Sequence, residues 1–288
     1  MQKNDLRLRG FTIGRVPVLA GITGLQGSGG GLQEDALFER ATAMHQQGRV
    51  LEAKAAYEKI LQISPLHFGA LHFLGVVTFQ MGSPEQAVKL IGEAIKINPN
   101  EPAAYVNRGL GRIILGKHYE ALADFDRAIA LKPDHVAAHQ NRAISLHELK
   151  RYGDALAGFD KAIQLRPDNA QAHYNKGRTF GEMKQFEEAL QSFERAIALQ
   201  PGYAEAYVNR GNALVALNRL EDALASYDRA LSLNPGNAEV HYNLGNVLAK
   251  LNWQNDALAS YDKALSLKPD NAEAHHNRGM ALAELDRP

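Results

Sequence analysis

An all-α solenoid of stacked helix hairpins is the fold class that this 288-residue sequence predicts, on three observations. Prolines recur every thirty-four residues, at Pro65, Pro99, Pro133, Pro167, Pro201, Pro235 and Pro269. Between successive prolines the apolar residues follow helical spacing in two runs separated by a short break. An asparagine keeps the same register in six copies, at Asn107, Asn141, Asn175, Asn209, Asn243 and Asn277. A fixed period of this length is one supersecondary unit copied end to end, each copy too small to bury its own core and stabilised by its neighbours.

In chain order, residues 1–33 read as a flexible, glycine-rich leader. Lys3, Arg7, Arg9 and Arg15 precede an apolar stretch from Val16 to Leu25 in the manner of a secretion signal. Pro17, Gly21 and Gly24 interrupt that stretch, however, and no small-x-small cleavage site comes before the Gly27 to Gly31 tract. Seven repeats follow, at 34–67, 68–101, 102–135, 136–169, 170–203, 204–237 and 238–271. An eighth begins at Ala272 and stops halfway, so that 272–288 is a half repeat or a capping helix.

Within 204–237 the chain divides into two helices around Leu217 to Glu221. Pro235 ends the second helix and biases Asn234 away from helical angles, while Gly236 and Asn237 suit a turn and the cap of the next helix. Tyr207, Gly211 and Leu214 share one face of the first helix. Ala223, Tyr227 and Ala230 form the matching surface of the second, as do Ala121, Phe125 and Ala128 earlier in the chain. The middle place of the first helix is Gly75, Gly109, Ala143, Gly177, Gly211, Gly245 and Gly279 in turn. An interior glycine costs about 0.5–1 kcal/mol relative to alanine, and close helix approach is the expected compensation.

This succession of aromatic or leucine, glycine, alanine, aromatic, alanine and proline resembles the tetratricopeptide repeat over Glu34 to Asn271 plus half a unit. The departures are His139, His173, His241 and His275 at the opening aromatic place, read as packing residues, and Ile60 where alanine is usual. The resemblance implies a right-handed superhelical α-solenoid whose first helices line a concave groove. It also implies a protein-protein interaction scaffold.

Composition narrows the function classes. Lysine plus arginine and aspartate plus glutamate both number 32, so the uniform positive field of a nucleic-acid binder is absent. There is no cysteine, which excludes disulfides and thiolate chemistry and fits a cytoplasmic location. No apolar run approaches the roughly 18–20 residues of a membrane-spanning helix. His135 with His139, and His275 with His276, bring no third ligand, so no metal site or cofactor is expected. Gly111 to Lys117 matches the spacing of a phosphate loop, but His118 stands where serine or threonine is needed and no strand precedes it. No nucleophile, base and orienting acid come together, so no catalytic residue is assigned.

The asparagine ladder is the functional candidate. At 100° per residue Asn209 lies about 200° from Tyr207, away from the contact within its own hairpin and toward the groove. Arg178, Asn212 and Asn246 fall on the same stripe. An asparagine offers one acceptor and two donors, which suits the N–H and C=O of an extended peptide. The other reading is that the ladder ties neighbouring helices together. The early groove reads as apolar, with Phe73, Val76, Leu110, Ile113, Ile114 and Ile144, and the later part as polar, with Glu182, Glu239 and Glu273 beside Arg178. Packing of Ile113 and Ile114 between adjacent helices is the alternative for those two.

Tetratricopeptide modules that hold acidic chaperone C-termini use a clamp of lysine, asparagine and arginine. Here Val106, Gln140, Tyr174 and Val208 occupy the first lysine's place, which argues against that role. The sequence thus points to a non-catalytic scaffold that takes a peptide or protein segment. The alternative is the substrate-recruiting region of an O-GlcNAc-transferase-like glycosyltransferase, which arrays of this kind resemble, its catalytic domain lying beyond Pro288. Self-association through the uncovered final helix is a third expectation.

Overall fold

The computed structural model describes residues 7–8, 11–12 and 32–285. Apart from two short antiparallel strands, β1 (Arg7–Leu8) and β2 (Phe11–Thr12), the described residues form an all-α repeat solenoid. The leader expected at 1–33 otherwise lies outside them up to residue 31, its last two residues, Leu32 and Gln33, beginning the first helix; the last three residues of the chain also lie outside them. The helices divide between two compact units, 1–167 and 168–288.

The first unit holds α1 (Leu32–Gln46), α2 (Val50–Ile63), α3 (Phe68–Gln80), α4 (Pro84–Ile97), α5 (Pro102–Ile114), α6 (His118–Leu131), α7 (Val136–Glu148) and α8 (Tyr152–Leu165). The second holds α9 (Ala170–Glu182), α10 (Phe186–Leu199), α11 (Ala204–Ala216), α12 (Leu220–Leu233), α13 (Ala238–Lys250), α14 (Gln254–Leu267) and α15 (Ala272–Glu284). In each unit every helix packs on its neighbours in sequence, and the first helices of adjacent hairpins also touch, as in α3 with α5 and α13 with α15.

Local chemistry sets both ends of these helices. Most first helices carry side-chain caps: Asn169 Oδ1 accepts the N–H of Ala172 at 3.1 Å and Asn271 Oδ1 that of Ala274 at 3.1 Å, satisfying donors that the helix leaves orphaned, whereas α11 begins at Tyr203 without one. They end at a residue in the left-handed region, Gly48, Gly82, Gly116 or Lys150 in the first unit and Lys184, Asn218 or Asn252 in the second. Around Gly116, whose φ is +71°, its own N–H reaches Ile113 O and that of Lys117 reaches Arg112 O, the paired bonds of a Schellman ending. The segment with phosphate-loop spacing is therefore a helix terminus.

Glycine at the middle place allows the close approach that the sequence predicts. A Cβ built on Gly211 would lie 2.5 Å from the Tyr227 ring, and one on Gly245 2.6 Å from that of Tyr261. Where alanine stands instead, at Ala143, the facing residue is Gly158, and a Cβ there would meet the Ala143 methyl at 2.9 Å. The contact is conserved in shape by moving the missing methyl to the other helix.

Two expectations are corrected. The residues read as an apolar groove wall, Phe73, Val76, Leu110, Ile113 and Ile144, are buried in the core of the first unit, and Ile114 packs partly buried against it. A helix in an array touches its partner and both flanking hairpins, so apolar residues on three sides are taken up by packing. The opening-place histidines are also more than packing residues. His139, His241 and His275 donate from Nε2 to the carbonyls of Pro133, Pro235 and Pro269 at 2.9, 3.0 and 2.8 Å. The Tyr105 hydroxyl does the same to Pro99 at 3.1 Å. In these four copies a polar tip holds the interrepeat turn.

Candidate functional site

The ladder asparagines divide by depth. Asn107, Asn141 and Asn175 are 8 %, 3 % and 0 % exposed, whereas Asn209, Asn243 and Asn277 are half-buried. Several tie first helices together. Asn107 Nδ2 donates to His72 Nε2 at 3.0 Å, Asn209 Nδ2 to the Tyr174 hydroxyl at 2.8 Å and Asn277 Nδ2 to the Tyr242 hydroxyl at 3.3 Å. The partner always lies thirty-five residues back, at the place compared above with the clamp lysine. Valine at Val208 offers no such acceptor to Asn243, which turns to Asn212 instead.

The second unit carries a carboxamide cluster that single-residue reasoning missed. The Tyr227 hydroxyl donates to Asn212 Oδ1 at 2.7 Å, and Asn243 Nδ2 reaches the same oxygen at 3.4 Å. One repeat later the Tyr261 hydroxyl donates to Asn246 Oδ1 at 2.9 Å and Asn277 Nδ2 to the same atom at 2.8 Å. Each Oδ1 thus has both lone pairs engaged, which orients the Asn212 and Asn246 amides with Nδ2 unengaged. Asn277 Nδ2 has both N–H groups engaged, by Tyr242 and Asn246, and Asn243 Nδ2 has one engaged by Asn212, while the Oδ1 atoms of both stay open. Each rung therefore presents an unengaged Nδ2 group and an unengaged Oδ1.

Tyrosine is what makes this possible. Tyr227 and Tyr261 are almost fully buried, and burial pushes both phenols upward, Tyr261 to about 12, so they stay protonated donors throughout the physiological range. The signal was present in the sequence as a pairing: asparagine stands fifteen residues before each of these tyrosines, whereas Leu110, Ile144 and Arg178 stand before Phe125, Phe159 and Phe193.

These rungs line an open cavity of about 500 Å³ formed by α11 to α15, with Val215, Val247, Lys250 and Met280 in its wall. A second concavity of about 270 Å³ lies alongside, lined by Arg178, Glu182, Asn209 and Asn212 among others. Asn212 belongs to both, so the two form one continuous face of the second unit. All the later predicted site residues, Arg178, Asn209, Asn212, Asn243, Asn246 and Asn277, line it. Glu239 and Glu273, expected on the polar part of the groove, line neither concavity. Among the described residues no group of three histidine or carboxylate side chains could hold a metal ion, and no helix is long and apolar enough to cross a membrane.

Comparison with known proteins places this architecture. Models of the tetratricopeptide repeat match residues 44–107, 102–135, 170–203 and 192–225, and a TPR repeat model matches 145–184, 211–252 and 251–286. No curated protein sequence matches the chain. Among solved structures, YrrB, a TPR protein with an unusual peptide-binding site, is 26 % identical over 67 % of this chain and 99 % of its own, with a TM-score of 0.57. MamA from Desulfovibrio magneticus RS-1 is 26 % identical over 59 % of this chain and 97 % of its own, with a TM-score of 0.55. A tetratricopeptide repeat protein from Parabacteroides merdae, 18 % identical over 88 % of this chain and all of its own, shares the fold at a TM-score of 0.65. With helix hairpins at thirty-four-residue spacing, the glycine-to-aromatic contact and these matches together, the chain belongs to the tetratricopeptide repeat family.

Proposed function

We propose that the chain is a non-catalytic interaction scaffold whose second unit holds an extended protein segment along the face of α11, α13 and α15. The observation that carries this reading is the pairing of an unengaged Nδ2 group and an unengaged Oδ1 at two successive rungs, Asn212 with Asn243 and Asn246 with Asn277. A peptide bond carries the complementary pair, and it does so whatever the side chains. Neighbouring helices lie about 8–10 Å apart and an extended chain advances about 3.3 Å per residue, so successive rungs meet a ligand about every third residue. The peptide-binding site named for YrrB supports the same class of ligand. No observation favours the glycosyltransferase-linked alternative.

Each net hydrogen bond contributes about 0.5–1.5 kcal/mol, so removing the two free Nδ2 groups, at one bond each, weakens binding roughly 5- to 150-fold. The test is capture of an array of extended peptides by the native chain and by the double variant Asn212→Ala, Asn246→Ala, with helicity checked by circular dichroism. N-methylation of the peptide bonds should weaken capture by the native chain in the same way. Equal capture by the folded variant, or indifference to N-methylation, would remove main-chain reading as the basis of binding.

A further inference from the structure

The smaller concavity continues the ladder by one step toward α9, and its walls differ from those of the larger one. Arg178 stands there in the register of Asn212 and Asn246, beside Asn209 in the register of Asn243 and Asn277. Gly181 takes the register of Val215 and Ala249, and nothing lies within 4 Å of where its Cβ would be, which opens the space. Glu182 follows in the same wall, and its charge is opposite to that of Arg178, so the lining as a whole is neutral. Among the described residues no ion pair reaches the Glu182 carboxylate, whereas those of Glu194, Asp222 and Asp262 in the same unit are paired with arginines. Asn209 Nδ2 donates to the Tyr174 hydroxyl, which leaves its Oδ1 open. Asn212 borders both concavities, and its Nδ2 carries two N–H groups, of which the main-chain reading uses one.

We infer that this concavity takes a neutral carboxamide side chain of the bound segment, a glutamine or an asparagine. The inference rests on the peptide-binding reading above and adds to it a side-chain choice at one register. The rungs read main chain, so they supply affinity without choosing a sequence. The concavity supplies the choice. A primary carboxamide has one acceptor oxygen and two N–H donors. Its oxygen matches the second N–H of Asn212, and its N–H groups match Asn209 Oδ1 and the Glu182 carboxylate. A lysine there is drawn to Glu182 and repelled by Arg178, and a glutamate the reverse, so neither gains an attraction that offsets its lost hydration. An apolar side chain leaves the same polar groups desolvated without partners. From the rung spacing, the selected side chain lies about three residues from the peptide bond read by Asn212 and Asn243, on the side away from Asn246. At about 270 Å³ the concavity is smaller than the roughly 300–1,000 Å³ of sites that enclose a whole small ligand, which suits one side chain of a longer segment.

The test uses the full chain and ten-residue peptides of serine and glycine in which one position is scanned through glutamine, glutamate, lysine and methionine, side chains of similar length and different charge. Binding is read by fluorescence anisotropy for the native chain, Glu182→Ala, Gly181→Leu and Asn246→Ala, with helicity checked by circular dichroism. At one register the native chain should bind the glutamine peptide about fivefold or more tightly than the other three. Gly181→Leu fills the concavity and should level the four peptides. Glu182→Ala removes an acceptor and the charge opposed to Arg178, so it should weaken the glutamine peptide and strengthen the glutamate one, an exchange of order that a merely structural role would not produce. Asn246→Ala, one rung away, should weaken every peptide alike and keep the glutamine preference. A native chain that binds all four equally overturns the side-chain inference and leaves main-chain reading standing, whereas one that binds none overturns both. First place for lysine, glutamate or methionine, or a glutamine preference that survives both Gly181→Leu and Glu182→Ala, also overturns the inference.

Discussion

Three tyrosines occupy the aromatic place of the second helix, and what stands fifteen residues earlier decides the worth of each hydroxyl. Tyr227 and Tyr261 find Asn212 and Asn246 there. Tyr57 finds Thr42, whose hydroxyl turns to its own helix and donates to Glu39 O at 2.8 Å, and the Tyr57 hydroxyl is buried without a partner. An unpaired buried hydroxyl costs about 1–3 kcal/mol, while a satisfied one contributes about 0.5–1.5 kcal/mol net. Tyr57→Phe should accordingly leave stability unchanged or raise it by about 1 kcal/mol, and Tyr227→Phe should lower it by about as much, both read from urea unfolding midpoints. A loss at Tyr57 equal to that at Tyr227 would contradict this account. The asparagine-to-tyrosine pairing was legible in the amino-acid order. Its effect on amide orientation was not, because that depends on which lone pairs are occupied by a residue one repeat away.

At the scale of the helix, one residue type has opposite consequences in different places. Gly211 faces the Tyr227 ring at a separation that admits no methyl, whereas nothing lies within 4 Å of where a Cβ on Gly181 would be. Gly181→Ala should stabilise α9 by about 0.5–1 kcal/mol through helix propensity alone. Gly211→Ala gains the same propensity but forces α11 and α12 apart, and overpacking of this kind costs about 1–3 kcal/mol, so the net change is destabilising. Denaturant titration of the two variants checks the sign of each, and two stabilised proteins would refute the close-approach explanation of the glycine. Sequence reasoning correctly read the glycine place as a helix contact, since the facing aromatic recurs at constant distance along the chain. Which glycines meet a neighbour, as Gly211 does and Gly181 does not, was not legible there, because the difference lies in what sits opposite and not in the residue itself.

For the molecule as a whole, acid sensitivity should be concentrated in the first unit. Burial holds the His72 imidazole down at about 4, against about 6.5 in an unfolded chain, and lowers His45 and His135 in the same direction. Between pH 6.5 and 4 the unfolded chain takes up a proton that the folded His72 refuses, so stability is undiminished above that window and falls as pH drops through it. Acidification from pH 7 to 4.5 should cost on the order of 2–3 kcal/mol from His72. Hydrogen exchange of the α3 and α5 amides should show it, and His72→Gln should flatten the profile. Equal protection at both pH values would refute it. The amino-acid sequence by itself determined the period, the hairpin, the glycine-to-aromatic contact and the helix stripe on which the asparagines lie, because each follows from backbone periodicity within thirty-four residues. Only the tertiary structure decided that Asn107, Asn141 and Asn175 are buried while the carboxamides of the second unit border an open cavity. Helical phase sets the direction of a side chain from its own axis, but its depth and its free hydrogen-bonding atoms depend on what the neighbouring repeat brings against it.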